Sequence, residues 1–125
     1  MVSKTGSLFA SFLLAVSLVF LSTGCTTGES MNADQFEAIV DVRTKEEWAE
    51  GHLEGAVRMG IADGDFTSQL ATLDPAADYY IYCRSGNRAG QAIDIMRDMG
   101  FTGELVNGGA VANASAQLGI PVVLD

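Results

Sequence analysis

The most constraining stretch of this chain runs from its densest group of β-formers, YYIY at 79–82, through a short polar loop at 83–88 into a helical apolar period. Ala89, Ala92, Ile93, Ile95, Met96 and Met99 carry that period, so residues 88–99 are predicted to be helical, with Gly100 where a C-terminal cap belongs. The rest of the chain repeats the alternation. Residues 37–42 (EAIVDV) read as a buried strand, and Thr44 with Glu47 three positions on forms a capping-box pattern that opens a short helix to Glu50, stopped by Gly51. A short strand at 56–59, a helix at 65–73 with Phe66 and Leu70 inward, and an Asp74-Pro75 turn precede the central strand. A strand at 104–106, a helix at 110–118, Gly119 and an apolar PVVL tail follow it. Alternating strands and helices predict one α/β domain, with a central, mostly parallel sheet flanked by helices.

The first two dozen residues differ in kind. Residues 8–21 (LFASFLLAVSLVFL) form an uncharged apolar run behind a single charge, Lys4; the length is typical of a signal-peptide core and short for a membrane span. Ser22, Thr23 and Gly24 then lead into Cys25. An apolar core ending in small residues and cysteine resembles the lipobox of bacterial lipoproteins, with Ser22 in place of the more usual Leu. The resemblance implies cleavage before Cys25, a diacylglyceryl thioether on its sulfur, and a domain tethered to the cell membrane or outer membrane, facing the periplasm or exterior. An uncleaved anchor helix, or a signal cut elsewhere, stays open, and both also export the domain. On this reading residues 1–24 are a signal peptide, 25–32 a flexible tether and 33–125 the folded domain.

All sixteen acidic side chains follow Cys25, and loss of Lys4 with the signal takes the net charge from −9 to −10. That balance argues against a nucleic-acid partner and offers no basic patch to anionic lipid, so membrane attachment falls to the lipid on Cys25. The acidic surface is most simply a solubility feature, and a monomer is expected. Two cysteines in an exported protein ordinarily pair. With the Cys25 sulfur held in a thioether, Cys83 is left as a free thiol in an oxidising compartment, which asks for a function.

The loop at 83–88 (CRSGNR) supplies one. Lying between a strand and a helix, its amides can converge on an anion at the helix N-terminus. Gly86 and Asn87 tolerate the left-handed backbone such a cradle needs, and Arg84 and Arg88 add positive charge. The same features favour a thiolate. Cys83 is therefore the candidate nucleophile, with Arg84, Ser85, Gly86, Asn87 and Arg88 as its anion-binding cradle. The competing reading is a buried structural thiol.

At these residues the likeness becomes specific. Residues 41–57 (DVRTKEEWAEGHLEGAV) and 82–92 (YCRSGNRAGQA) resemble the two signature segments of rhodanese domains, and the similarity extends over residues 36–124. The resemblance implies a rhodanese-like fold with its active loop between a central strand and the following helix. It also implies a sulfurtransferase. Cys83 would take sulfane sulfur from a small anionic donor, thiosulfate or a persulfide or polysulfide, hold it as a persulfide, and pass it to a thiol or cyanide acceptor without metal or organic cofactor. Asn107-Gly108-Gly109 matches the Gly-Gly turn after a late strand in these domains. The C-x4-R spacing from Cys83 to Arg88 is one residue shorter than the C-x5-R of related phosphatases and favours sulfur over a thiol phosphatase or arsenate reductase. A persulfide carrier or sensor docking to a membrane partner would use the same loop without rapid turnover.

Two departures from the pattern stand out. Little chain lies between Cys25 and the first strand, where a strand and a helix usually stand in these domains, so the sheet is expected to be one strand short or the first helix vestigial. The GG-x-x-x-W pattern is absent, since Gly108-Gly109 runs into AVANA, and this leaves the packing of the last helix open. Three polar residues outside the loop are possible supporting residues. His52 is either a general base or part of a structural turn, and Asp41 and Arg43 either touch the loop or tie the strand end to the next helix. Trp48, Met96 and Met99 are expected in the core.

Overall fold

The computed structural model describes residues 29–125; the apolar run at 8–21 and Cys25 lie outside them. Strands β1 (Ala38–Asp41), β3 (Val57–Arg58), β4 (Tyr79–Cys83) and β5 (Leu105–Ala110) form a parallel sheet in the order β3-β1-β4-β5. Helices α1 (Lys45–Ala49), α2 (Phe66–Leu70), α3 (Asn87–Asp98) and α4 (Val111–Leu118) occupy the connections, and β2 (His52–Leu53) pairs antiparallel with β6 (Val122–Val123) in a second, two-stranded sheet. The apolar tail is thus a strand, which closes the chain's end onto the segment after α1.

The period of two along β4 divides the core. Tyr79, Ile81 and Cys83 join Val40, Phe66, Leu70, Ala89, Ala92 and Met96 on one face; Tyr80 and Tyr82 join Phe36, Ile39, Leu53, Ala114 and Leu118 on the other. Every residue of β4 is fully buried, as expected of a central strand covered on both sides. Ala89, Ala92 and Met96 are the buried stripe of α3, and Ile93 and Ile95 flank it half-buried. Met99 does not join them. It is 38% exposed, because it is the C-cap residue and the chain turns away at Gly100, whose φ is +99°.

Several boundaries differ from the sequence reading. The folded part begins before Ala33: the Met31 amide donates to the Gln117 carbonyl at 2.8 Å, and Met31 packs against the cluster around Phe36. Among the described residues a single 3-10 turn (Ala33–Gln35), capped by Asn32, is the one element ahead of β1. Strand β5 runs past the expected 104–106 and carries Asn107-Gly108-Gly109 within it rather than after it. There the register slips, with Ile81 opposite Asn107 but Cys83 opposite Ala110. Gly109, at φ +70°, absorbs this bulge. The last helix packs well without a tryptophan: Ala114 and Leu118 are buried, and Asn113 donates to the Gly108 carbonyl at 2.7 Å.

Candidate active site

The candidate site lies at the carboxyl end of the parallel sheet, the general location of sites in open sheets of this kind. Cys83 is the last residue of β4 and is itself buried against the α3 side of the sheet. Its Sγ accepts a hydrogen bond from the Gly86 amide at 2.8 Å. A sulfur so placed, at the start of a twelve-residue helix, lies where the helix dipole and a backbone donor stabilise negative charge.

Gly86 makes this turn possible. Its φ of +94° is left-handed, and a Cβ there would sit 3.3 Å from the Gly109 Cα and 3.5 Å from the Asn107 Oδ1. Asn87, which also tolerates that conformation, is instead the first residue of α3. From β5, Asn107 holds the loop in place: its Nδ2 donates to the Gly86 carbonyl at 3.0 Å, while its Oδ1 accepts from the Gly109 amide at 2.9 Å. The bulge and the active loop are thereby one hydrogen-bonded unit.

The two loop arginines are not equivalent. Arg88 is committed to Glu47, with its Nη1 2.7 Å from Oε2 and its Nη2 2.9 Å from Oε1 in a two-pronged ion pair. Arg84 is 79% exposed and approaches the same carboxylate only at 4.0 Å. Arg88 and the Thr44 backbone hold the Glu47 carboxyl at about 2, well below the ordinary 4.5, and Glu47 in turn raises the Arg88 guanidinium. Of the two arginines expected to add positive charge to the loop, Arg88 is therefore paired and Arg84 points to solvent. Glu47 also fulfils the capping role that its spacing from Thr44 predicts: Thr44 Oγ1 accepts from the Glu47 amide at 3.2 Å and Glu47 Oε2 accepts from the Thr44 amide at 3.0 Å. The capping box turns this glutamate back toward the helix start, but carries no signal of its second partner, Arg88.

Asp41 and Arg43 form a buried ion pair that ties strand to loop. Asp41 Oδ2 accepts from Arg43 Nη2 at 2.7 Å and Oδ1 from the Arg43 amide at 2.9 Å; Arg43 Nη2 also donates to the Gly51 carbonyl at 2.7 Å. Burial works against the Arg43 charge, but the Asp41 carboxylate more than offsets it and its pKa is raised. The Arg43 guanidinium lies 5.7 Å above the Tyr82 ring, whose phenol burial pushes up. His52 sits in β2, stacked on Trp48 with ring centroids 3.5 Å apart. Its Nε2 lies 2.9 Å from Asp125 Oδ1, and Trp48 Nε1 donates to Asp125 Oδ2 at 3.0 Å. Trp48 is therefore half-buried in a stack that fastens the chain's end, not in either core cluster.

Comparison with known proteins agrees with this geometry. The sequence matches the Rhodanese-like domain family over residues 27–115. It is 36% identical over 84 residues to YtwF of Bacillus subtilis, whose name assigns it to the sulfurtransferases, covering 67% of this chain and 80% of that protein. It is 30% identical over 95 residues to the thiosulfate sulfurtransferase PspE of Escherichia coli, covering 76% and 83%. Among solved structures, the Rhodanese_3-like domain of Alr3790 from Anabaena superposes with a TM-score of 0.61 at 29% identity, covering 70% of this chain and 92% of that one.

Proposed function

Since the chain belongs to the rhodanese-like domain family and has relatives named as sulfurtransferases, we propose that it moves sulfane sulfur through a persulfide on Cys83. The observation that carries this is the placement of the Cys83 Sγ, at the end of the central strand and 2.8 Å from the Gly86 amide. In the first half-reaction the Cys83 thiolate attacks the outer sulfur of thiosulfate. A sulfur–sulfur bond forms to Cys83, the bond to the sulfonate sulfur breaks, and its electron pair leaves with sulfite. The terminal sulfur of the persulfide then occupies the mouth of the loop, where Arg84, Ser85 and the amides of the turn offset its negative charge. In the second half-reaction cyanide or a thiolate attacks that terminal sulfur, and the electron pair of the breaking bond restores the Cys83 thiolate. A hydropersulfide or polysulfide would donate by the same exchange, with a thiolate as leaving group. The full burial of Cys83 suits small donors of this kind.

Purified protein supplied with thiosulfate and cyanide is expected to release thiocyanate with ping-pong kinetics, and Cys83→Ser to release none. Equal release from the two proteins would remove Cys83 from the mechanism. We also propose that Asp41 and Arg43 serve the site only by fixing the loop that carries Thr44 and Glu47, and that His52 belongs to the structural stack with Trp48 and Asp125.

A further inference from the structure

We propose that Glu47 sets the net charge of the Cys83 loop and thereby its choice of donor, favouring sulfur donors with one negative charge over the dianion thiosulfate. The inference rests on the sulfur-transfer reading above and deepens it.

The basic side chains of the described residues leave little free positive charge for a donor. Arg43 is neutralised by Asp41, Arg58 by Asp63 at 2.8 Å, and Arg97 is turned to the Phe101 and Gly103 carbonyls beyond the far end of α3. Lys45 is exposed at the first position of α1. At the loop itself stand Arg84 and Arg88, and the one carboxylate that meets both is Glu47. Its two oxygens are occupied by the Arg88 guanidinium, so an incoming anion finds that fork already filled. Two cations and one anion leave a side-chain charge of one. Because Glu47 titrates at about 2, this balance holds throughout the neutral range.

A dianion gains more than a monoanion from each added unit of positive charge, so the counter-charge taxes thiosulfate most. Organic thiosulfonates and anionic hydropersulfides carry one charge and are taxed less. With methanethiosulfonate the exchange balances as it does with thiosulfate: the Cys83 thiolate takes the outer sulfur and methanesulfinate leaves with the electron pair.

The test is a charge swap that preserves shape. Glutamine is accepted at this position of a capping box, so Glu47→Gln keeps the helix start and a hydrogen bond to Arg88 while removing the charge. Thiocyanate release by the full chain would be measured with thiosulfate and with methanethiosulfonate, cyanide being the acceptor in both. In Glu47→Gln the kcat/KM for thiosulfate relative to methanethiosulfonate is expected to rise about five- to tenfold, mostly through KM, the size expected of one unit charge a few ångströms from a partly solvated anion. Glu47→Asp keeps the charge and is expected to hold the wild-type ratio even where looser packing slows both donors. Arg84→Gln, at an exposed position, is expected to move the ratio the opposite way, and it keeps the test open should Glu47→Gln not fold. A purely structural Glu47 would change both donors alike, and a ratio unmoved in Glu47→Gln or Arg84→Gln overturns the inference while leaving sulfur transfer intact. Wild-type protein that transfers sulfur from neither donor overturns the sulfur-transfer reading, and this inference with it.

Discussion

At the scale of single residues, the active loop depends on conformations that few side chains tolerate. Gly86 is left-handed, its amide faces the Cys83 sulfur, and its carbonyl is held by Asn107. A methyl group at this position would meet strain from the backbone angle and a tight approach to Gly109. A non-glycine residue held in the left-handed region costs roughly 1–3 kcal/mol, and relief by rotating the peptide would turn the amide away from sulfur. Gly86→Ala is therefore expected to lower stability by about that amount and to slow loading of Cys83 more than tenfold, a loss above ~1.4 kcal/mol at the transition state. Urea unfolding and single-turnover sulfur loading measure the two effects. An alanine variant with wild-type loading would show that the Gly86 amide is dispensable. The cysteine, both arginines and this glycine were legible in the sequence, because a strand meeting a helix through a short polar loop restricts where those residues go. The commitment of Arg88 to Glu47 was not, since its partner lies forty-one positions earlier and sequence spacing alone does not say which acidic residue of 46, 47 and 50 faces the loop.

Among the elements, α1 is the least self-sufficient. Five residues cannot sustain a helix in water, and none of its residues is buried. What holds it are its capping box, the Glu47–Arg88 ion pair to α3, and the Trp48–His52 stack to β2. The contribution of Glu47 has a definite pH signature. Its carboxyl titrates at about 2 in the fold against an ordinary 4.5, so the folded state prefers the charged form. The associated stability is fully present above about pH 4.5 and is lost as pH falls toward 2. The urea midpoint of wild type over Glu47→Gln is expected to be constant near neutrality and to shrink steadily below pH 4.5, at unchanged m-value. A difference that stays flat from pH 6 to pH 3 would mean that the ion pair does not bear on folding. Elements with a clear period were predictable: β4 from its β-formers, α3 from its apolar stripe, α1 from Thr44 and Glu47. The bulge in β5 and the pairing of the tail with β2 were not, because both are decided by distant partners: Cys83 and Ala110 in one case, His52 and Val123 in the other.

At the scale of the whole molecule, the question is how the domain stands in its surroundings. The fold is already engaged at Met31, through its bonds to the α4 end and the Phe36 cluster. Six residue steps separate Met31 from Cys25, a span of at most about 20 Å for an extended chain. We propose that Cys25 is lipidated, which would hold the domain close to the bilayer with its α4 face nearest the anchor. The apolar run at 8–21 followed by Ser22, Thr23, Gly24 and Cys25 supports this reading, and the net negative charge leaves the lipid as the source of attachment. A single acyl chain gives only marginal binding, whereas a second adds roughly 0.8 kcal/mol for each buried methylene; with two or three chains the protein should partition stably. Detergent is then expected to release the native protein from membranes and high salt is not. Cys25→Ser should abolish lipidation and cleavage at that position, while the separated domain keeps its sulfur chemistry, because Cys83 lies in a fold that is engaged only from Met31 onward among the described residues. Mass spectrometry of the N-terminal peptide, with fractionation in salt and in detergent, reads both outcomes. Wild-type protein recovered from the soluble fraction with an N-terminus other than Cys25 would overturn the anchor without touching the role assigned to Cys83.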